Sequence, residues 1–282
     1  MIKKGKKYLV TGGTGIIGKT LCSRLLTMGA KVVVISRDEK KLEKLKKEVS
    51  NDVETLVGNI CNRNLLRDVM EEVDGVFHLA AVADGMQSGK PIESVMSNVI
   101  GSLTILEASY NVDFVLGISS DKVVQVSGSY GATKFLMEKL FNQFEEKNPD
   151  IKYRVVRLGN VIYSTDSVLH RWKKLIENCK QVVVTDKKAT RFFLTRQVAV
   201  DLIMRCLKNA KDSKPYFEDM KSASIGNLLK AMTNKYAPKN CKLSIKKIGL
   251  SPNENLHEKI SEDGPYTNEI EQYTVKELEE MI

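Results

Sequence analysis

Short apolar runs bounded by glycine and polar residues alternate with longer stretches whose apolar positions recur every three or four residues, as far as Gly159. The runs Tyr8–Thr11, Lys31–Ser36, 52–58, 75–80, 113–119 and 152–158 read as strands. Between them, the stretch ending at Met28 and residues 62–71, 91–110 and 127–147 read as helices, and Leu42, Leu45 and Val49 mark one further solvated helix. Units of this length predict a doubly wound α/β fold, a parallel sheet with helices on both faces. Beyond Gly159 the alternation loosens. Residues 164–178, 195–208 and 222–233 read as helices, 181–185, 241–248 and 256–260 as short strands, and the Glu-rich C-terminus as a last helix. The expected division is a cofactor-binding domain at 1–160 and a smaller substrate-binding lobe at 161–282, some of whose segments return to the main domain. Internal repeats and low-complexity segments are absent from the sequence.

Ligands on such sheets collect beyond the C-terminal strand ends, which places residues 12–18, 78–81, 119–122 and 158–160 along one rim. The first strand runs into Gly12-Gly13-Thr14-Gly15-Ile16-Ile17-Gly18 and then into a helix. Glycines at 12, 15 and 18 suit a tight turn, close approach of a pyrophosphate and close helix packing, so a Rossmann-type dinucleotide cradle is predicted. The second strand ends in Ser36-Arg37-Asp38. Ser36 and Arg37, with Lys40 nearby, suit a 2′-phosphate and predict NADP, while Asp38 as a carboxylate for the ribose of NAD is the alternative.

Ser119-Ser120-Asp121-Lys122 precedes Tyr130-Gly131-Ala132-Thr133-Lys134. Residues four apart share a helix face, so the Lys134 ammonium is expected beneath the Tyr130 phenol, favouring its ionised form and making Tyr130 a general base.

Composition changes this picture little. The 282 residues are 42% hydrophobic and 28% charged, ordinary for a globular chain that buries a sizeable core. No apolar run approaches the roughly eighteen residues that span a bilayer, and a cytoplasmic protein without membrane attachment is expected. Five scattered cysteines, without a Cys-x-x-Cys pair and away from the three histidines, predict reduced thiols and no metal site. The net charge of +9 suits a polyanionic nucleotide ligand, and no nucleic-acid module accompanies it.

The segments TGGTGIIG, SRDE, SSDK, YGATK, VRLGNV, TDKKATRFF and IGLSPNENLHEKI together resemble the extended short-chain dehydrogenase/reductase superfamily. Within it they resemble the NADP-dependent UDP-N-acetylglucosamine 4,6-dehydratases of the 5-inverting type, which supply intermediates of pseudaminic acid. The likeness runs from residue 8 to about 260. It implies a lyase with internal oxidoreductase steps acting on a UDP-linked N-acetylhexosamine. Tyr130 with Lys134 would act at C4, Lys122 as base at C5 and Asp121 as acid at the C6 hydroxyl, with that division provisional, and Ser120 would hold the C4 oxygen. It extends the cofactor set to Asn59, Ile60, Leu79, Ala80 and Ala81, and names Ala83, Asn160, Thr190, Arg191 and Glu258 as substrate contacts, Arg191 for the pyrophosphate.

Departures from the family pattern surround the sugar: Ala83 replaces a lysine, Ser120 a threonine, Asn59 an acidic residue, Tyr163 a glycine and His170 a proline. A second substrate therefore stays open, the 5,6-ene of UDP-6-deoxy-N-acetylglucosamine, leading to the same product. A UDP-hexose 4-epimerase and a non-catalytic NADP-binding regulator are further alternatives. Helices 91–110 and 127–147 are those that relatives pair across a two-fold axis, and Leu136, Leu140 and Phe144 give the second an apolar stripe, so a homodimer or larger homo-oligomer is expected.

Overall fold

The computed structural model describes residues 2–83, 91–164 and 167–282. Its elements begin β1 (Lys7–Thr11), α1 (Ile16–Thr27), β2 (Lys31–Ser36), α2 (Glu39–Glu48), β3 (Glu54–Val57), α3 (Arg63–Met70) and β4 (Gly75–His78). There follow α4 (Pro91–Ser94), a π-helical segment Val95–Ile100, α5 (Gly101–Ala108), β5 (Phe114–Ser120), a short 3-10 turn Asp121–Val123, α6 (Ser129–Lys147) and β6 (Lys152–Leu158). The later part holds β7 (Asn160–Val161), α7 (Val168–Glu177), β8 (Val182–Val184), β9 (Thr190–Leu194), α8 (Arg196–Asn209), β10 (Pro215–Tyr216), β11 (Ser222–Ser224), α9 (Ile225–Tyr236), β12 (Ile245–Lys247) and α10 (Val275–Met281).

Seven strands in the order β10-β6-β5-β4-β1-β2-β3 form one parallel sheet, the doubly wound Rossmann-like α/β fold. Central strands of such a sheet are covered on both faces, which is why they read as continuous apolar runs. Val10, Val34, Leu116 and Val156 face one way, against Leu21 and Leu25 of α1 and Leu202 and Ile203 of α8. Their neighbours Leu9, Val33, Val115 and Val155 face the other way, against Leu66 of α3, Ile105 of α5 and Met137 and Phe141 of α6. A third apolar cluster, around Trp172, Ile176, Phe193, Leu228, Met232 and Leu278, packs the later elements together.

Several expectations are corrected. The helix over 91–110 contains the π-helical segment, which buries Asn98. The helix over 222–233 begins with β11, because Ser222–Ser224 pairs antiparallel with β9 before Ser224 caps α9. The strand over 241–248 shortens to β12, and 256–260 holds no strand: its backbone groups bond to Thr190 and Thr267 instead of to a ladder. The helix over 164–178 is described from Val168, residues 165 and 166 lying outside the described residues. Cys179 and Cys241, expected as reduced thiols, are joined by a disulfide, their Cα atoms 5.8 Å apart, because β12 pairs with β8 and brings together positions separated by 62 in the sequence. In the stripe on α6, Leu140 and Phe144 pack on the core, whereas Leu136 and its neighbour Phe135 are exposed. Among the described residues no helix is long and apolar enough to cross a membrane.

Candidate active site

The C-terminal strand ends open into one cleft of about 1040 Å³ that runs from the glycine-rich turn past Tyr130 to Glu258. At its first end β1 leads into Gly12, with φ +69°, where a Cβ would lie 2.7 Å from the Ala80 nitrogen. At Gly18 a Cβ would lie 2.3 Å from the Gly12 carbonyl oxygen, so only glycine lets α1 pack this closely on the turn. Gly15 is the N-cap of α1 and, with Thr14, Ile16, Ile17 and Gly18, lines the cleft, so the helix N-terminus faces it. Free backbone N–H groups and the positive end of the helix dipole there fit a dinucleotide pyrophosphate.

Ser36 and Arg37, at the end of β2, and Asn59, Ile60, Leu79, Ala80 and Ala81 all lie on the cleft wall. Asp38 lies on the same wall, and its carboxylate also caps α2 by accepting from the Lys41 backbone N–H at 3.1 Å. Lys40 is not on the wall and Lys41 is, because the turn of α2 carries the neighbouring side chain toward the cleft.

His78, buried at the end of β4, links this region to the helices. Its Nδ1 accepts from the Thr11 hydroxyl and its Nε2–H donates to Ser102 Oγ, both at 2.8 Å, the assignment consistent with Ser102 donating onward to the Asn98 carbonyl. Burial, and secondarily the Lys134 charge, pushes the imidazole down to about 3, so it is neutral.

At the reacting end β5 delivers Ser119 and Ser120 and the 3-10 turn carries Asp121 and Lys122; Lys122 lines the cleft, whereas Asp121, expected as a catalytic acid, is buried behind it and does not. The Ser120 hydroxyl donates to Asp121 Oδ1 at 2.8 Å, and Lys122 Nζ stands 2.8 Å from Asp121 Oδ2 and 3.2 Å from Glu258 Oε1. Tyr130, in the first turn of α6, lines the cleft beside them. Burial and then the Asp121 charge push its phenol up to about 12, opposed by a hydrogen bond with Ser120. This reverses the expected effect of Lys134. That side chain is buried, with Nζ donating to the Ile118 carbonyl at 2.7 Å, and burial brings it down to about 8 against the upward pull of Glu138.

Three residues behind the wall escaped the sequence reading. Asn98 clasps Val82 through both backbone groups, at 2.8 and 2.9 Å, and donates to Thr133 Oγ1 at 3.0 Å. Glu138 accepts from Ser119 at 2.6 Å and from two Arg157 nitrogens at 2.9 Å each, and Arg157 also donates to the Ile260 carbonyl. Their one signal in the sequence is a polar residue inside an apolar stripe or strand.

Of the expected substrate contacts, Ala83, Asn160, Arg191 and Glu258 line the cleft. Arg191 is engaged with the protein itself, donating to the Thr190 and Leu256 carbonyls and to Glu254 at 2.8, 3.1 and 3.0 Å. Thr190 is not on the wall: it is buried, with its hydroxyl hydrogen-bonded to His257 at 2.7 Å and Thr267 at 2.6 Å, so it braces the later segment. Among the described residues no cluster of groups suited to a metal ion occurs.

The polysaccharide biosynthesis protein family matches residues 8–278. A UDP-N-acetylglucosamine 4,6-dehydratase (inverting) of Campylobacter jejuni is 32% identical over 280 residues, covering 95% of this chain and 82% of its own length. A UDP-glucose 4-epimerase of Rickettsia prowazekii is 30% identical over 271 residues, covering 92% of this chain and 79% of its own. Among solved structures, Pen from Bacillus thuringiensis superposes with a TM-score of 0.91 at 27% identity, over 100% of this chain and 98% of that one.

The neutral His78 makes stability depend on pH. An unfolded histidine takes up a proton below 6.5, whereas folded His78 refuses one until about 3, so stability falls as pH drops through that window. The slope is about 1.4 kcal/mol per pH unit from this group. Urea unfolding at about pH 7 and about pH 5 should show His78→Gln losing less stability on acidification than wild type, by about 2 kcal/mol. Equal losses would contradict the buried neutral imidazole.

Proposed function

The chain belongs to the polysaccharide biosynthesis protein family, and we propose that it is an NADP-dependent UDP-N-acetylglucosamine 4,6-dehydratase of the 5-inverting type. The observation that carries this reading is that Ser120, Lys122 and Tyr130 share one cleft wall, with the Asp121 carboxylate buried directly behind Lys122 at 2.8 Å. Oxidation and reduction at C4 alone, as in an epimerase, need Tyr130 but leave an acid–base pair at C5 and C6 without work.

Bound NADP supplies the reversible hydride acceptor. The Tyr130 phenol first gives up its own proton, which Lys134, one helical turn away and near 8, can hold close to neutrality, and the phenolate then takes the C4 hydroxyl proton while Ser120 holds the C4 oxygen. The resulting 4-ketone acidifies the C5 proton. Once the Lys122 ammonium has passed a proton to Asp121 across their 2.8 Å contact, the Lys122 amine removes the C5 proton and the Asp121 carboxyl protonates the departing C6 hydroxyl, which leaves as water and gives a 4-keto-5,6-ene. Reduction at C6 and protonation on the opposite face of C5 then yield UDP-4-keto-6-deoxy-N-acetyl-L-altrosamine, a precursor suited to pseudaminic acid.

Ala83 on the cleft wall favours a second reading. With no polar side chain at that point, a substrate already dehydrated to its 5,6-ene would meet every group it needs and would reach the same product. The preference for NADP rests on the Ser36, Arg37 and Lys41 side chains gathered on the cleft wall, with Asp38 on the same wall as the group that would serve the ribose of NAD. The exposed apolar side chains of Ile92, Val95, Phe135 and Leu136 between α4 and α6 support the reading of a homodimer there.

Incubating the purified protein with NADP and UDP-N-acetylglucosamine should give a product lighter by one water, with solvent deuterium at C5. Unchanged UDP-N-acetylglucosamine together with conversion of the 5,6-ene would select the second reading, and C4 inversion without deuterium at C5 would indicate an epimerase. Arg37→Ala should raise the Kd for NADP by about 10–100-fold, from the loss of a charged hydrogen bond, and that for NAD by less than about threefold. Equal losses would overturn the NADP assignment.

A further inference from the structure

Glu258 reaches the cleft from the segment after β12, yet it is only 2% exposed. Its Oε1 stands 3.2 Å from Lys122 Nζ and 3.7 Å from Arg191 Nε, and its Oε2 accepts from Asn255 Nδ2 at 3.4 Å. Asn255 is itself tied to the Gln125 carbonyl at 3.1 Å, and the Glu258 backbone exchanges two hydrogen bonds of 2.9 Å with Thr267. A buried carboxylate persists only where it is paired, and these partners leave this one little freedom to swing.

Lys122 is thus gripped from two sides, by Asp121 at 2.8 Å and by Glu258 at 3.2 Å. In the dehydratase chemistry proposed above, on which this inference rests, the Lys122 proton passes to Asp121 before elimination, so the ion pair between them is discharged and Asp121's hold on Lys122 weakens. Lysine sits on a flexible four-carbon stem, so with Asp121 as its single partner it would drift at that moment. We propose that Glu258 is a positioning residue that keeps Lys122 aimed at C5 through elimination and reprotonation. The later segment of the chain thereby supplies a working part of the C5/C6 machinery, whereas C4 oxidation depends on α6 and β5.

Two readouts on Glu258→Gln, which keeps the side-chain shape and removes its charge, test this. The first needs no substrate. Under limiting reductive methylation of the purified protein, the peptide bearing Lys122 should be labelled several-fold faster in Glu258→Gln than in wild type, with other lysines unchanged. The second follows UDP-N-acetylglucosamine and NADP in deuterated water, reading C4 oxidation as reduced-cofactor absorbance in a single turnover and C5 chemistry as deuterium uptake. C5 exchange should fall at least about tenfold further than C4 oxidation. Glu258→Asp, one methylene short of Lys122 but still charged, should behave like Glu258→Gln and guards against a variant that fails to fold. Equal slowing of both steps with unaltered Lys122 labelling would overturn the proposal, leaving Glu258 a brace of the fold. A wild-type protein that cannot oxidise the sugar would instead sink the dehydratase reading, and the labelling result would still decide whether Glu258 holds Lys122.

Discussion

The bond from the buried Lys134 ammonium to the Ile118 carbonyl clamps α6 onto the end of β5, and the geometry of the reacting end follows from it. A charge in this position cannot be left unpaired, so the helix has one place to sit against the strand. Tyr130, one turn earlier on α6, is thereby set beside Ser120, Asp121 and Lys122. Glu138, one turn later, extends the same stripe to Ser119 and Arg157. Breaking a buried ion pair such as Glu138–Arg157 costs about 3–5 kcal/mol, a large share of the 5–15 or so that keeps a domain folded. The wall that carries the chemistry is therefore among the stiffer parts of the molecule.

Against that wall the later segment acts as a strap. Arg157 holds the Ile260 carbonyl, Arg191 holds Glu254 and the Leu256 carbonyl, and Glu258 reaches Lys122. Residues 254–262 form no strand, since their polar groups are used on the 3-10 turn, β6 and β9 instead of on a sheet ladder. The cleft thus has two kinds of lining: at the dinucleotide end glycines and a helix N-terminus offer backbone N–H groups, and at the sugar end charged side chains are already paired with one another. Ligand binding at the first end needs little rearrangement, whereas at the second a group reaching Arg191 would have to displace Glu254.

The parallel sheet and the glycine turn were legible in the sequence because each has a local cause: two-sided burial gives unbroken apolar strands, and close approaches at Gly12 and Gly18 exclude any side chain. Tyr130 and the Asp121–Lys122 pair were legible from spacing and from likeness to relatives. What was not legible depends on contacts distant in the chain. The polar run Ser222–Ser224 becomes a strand only because β9 lies beside it, and Cys179 meets Cys241 only through the pairing of β8 with β12. Thr190 was expected at the sugar but turns inward to His257 and Thr267, and the choice of Lys41 over Lys40 is a matter of helix phase. For the Tyr130 phenol, helical spacing brings Lys134 near, but spacing alone does not show that the Ile118 carbonyl already binds its ammonium or that burial and the Asp121 charge hold the phenol up.

The placement of that phenol at the sugar C4 hydroxyl is tested most directly by single-turnover formation of reduced cofactor from NADP and UDP-N-acetylglucosamine, compared between wild type and Tyr130→Phe. A general base in this position predicts a loss of about 10²–10⁴-fold in the rate of C4 oxidation, with nucleotide binding retained. Equal rates in the two proteins would contradict it.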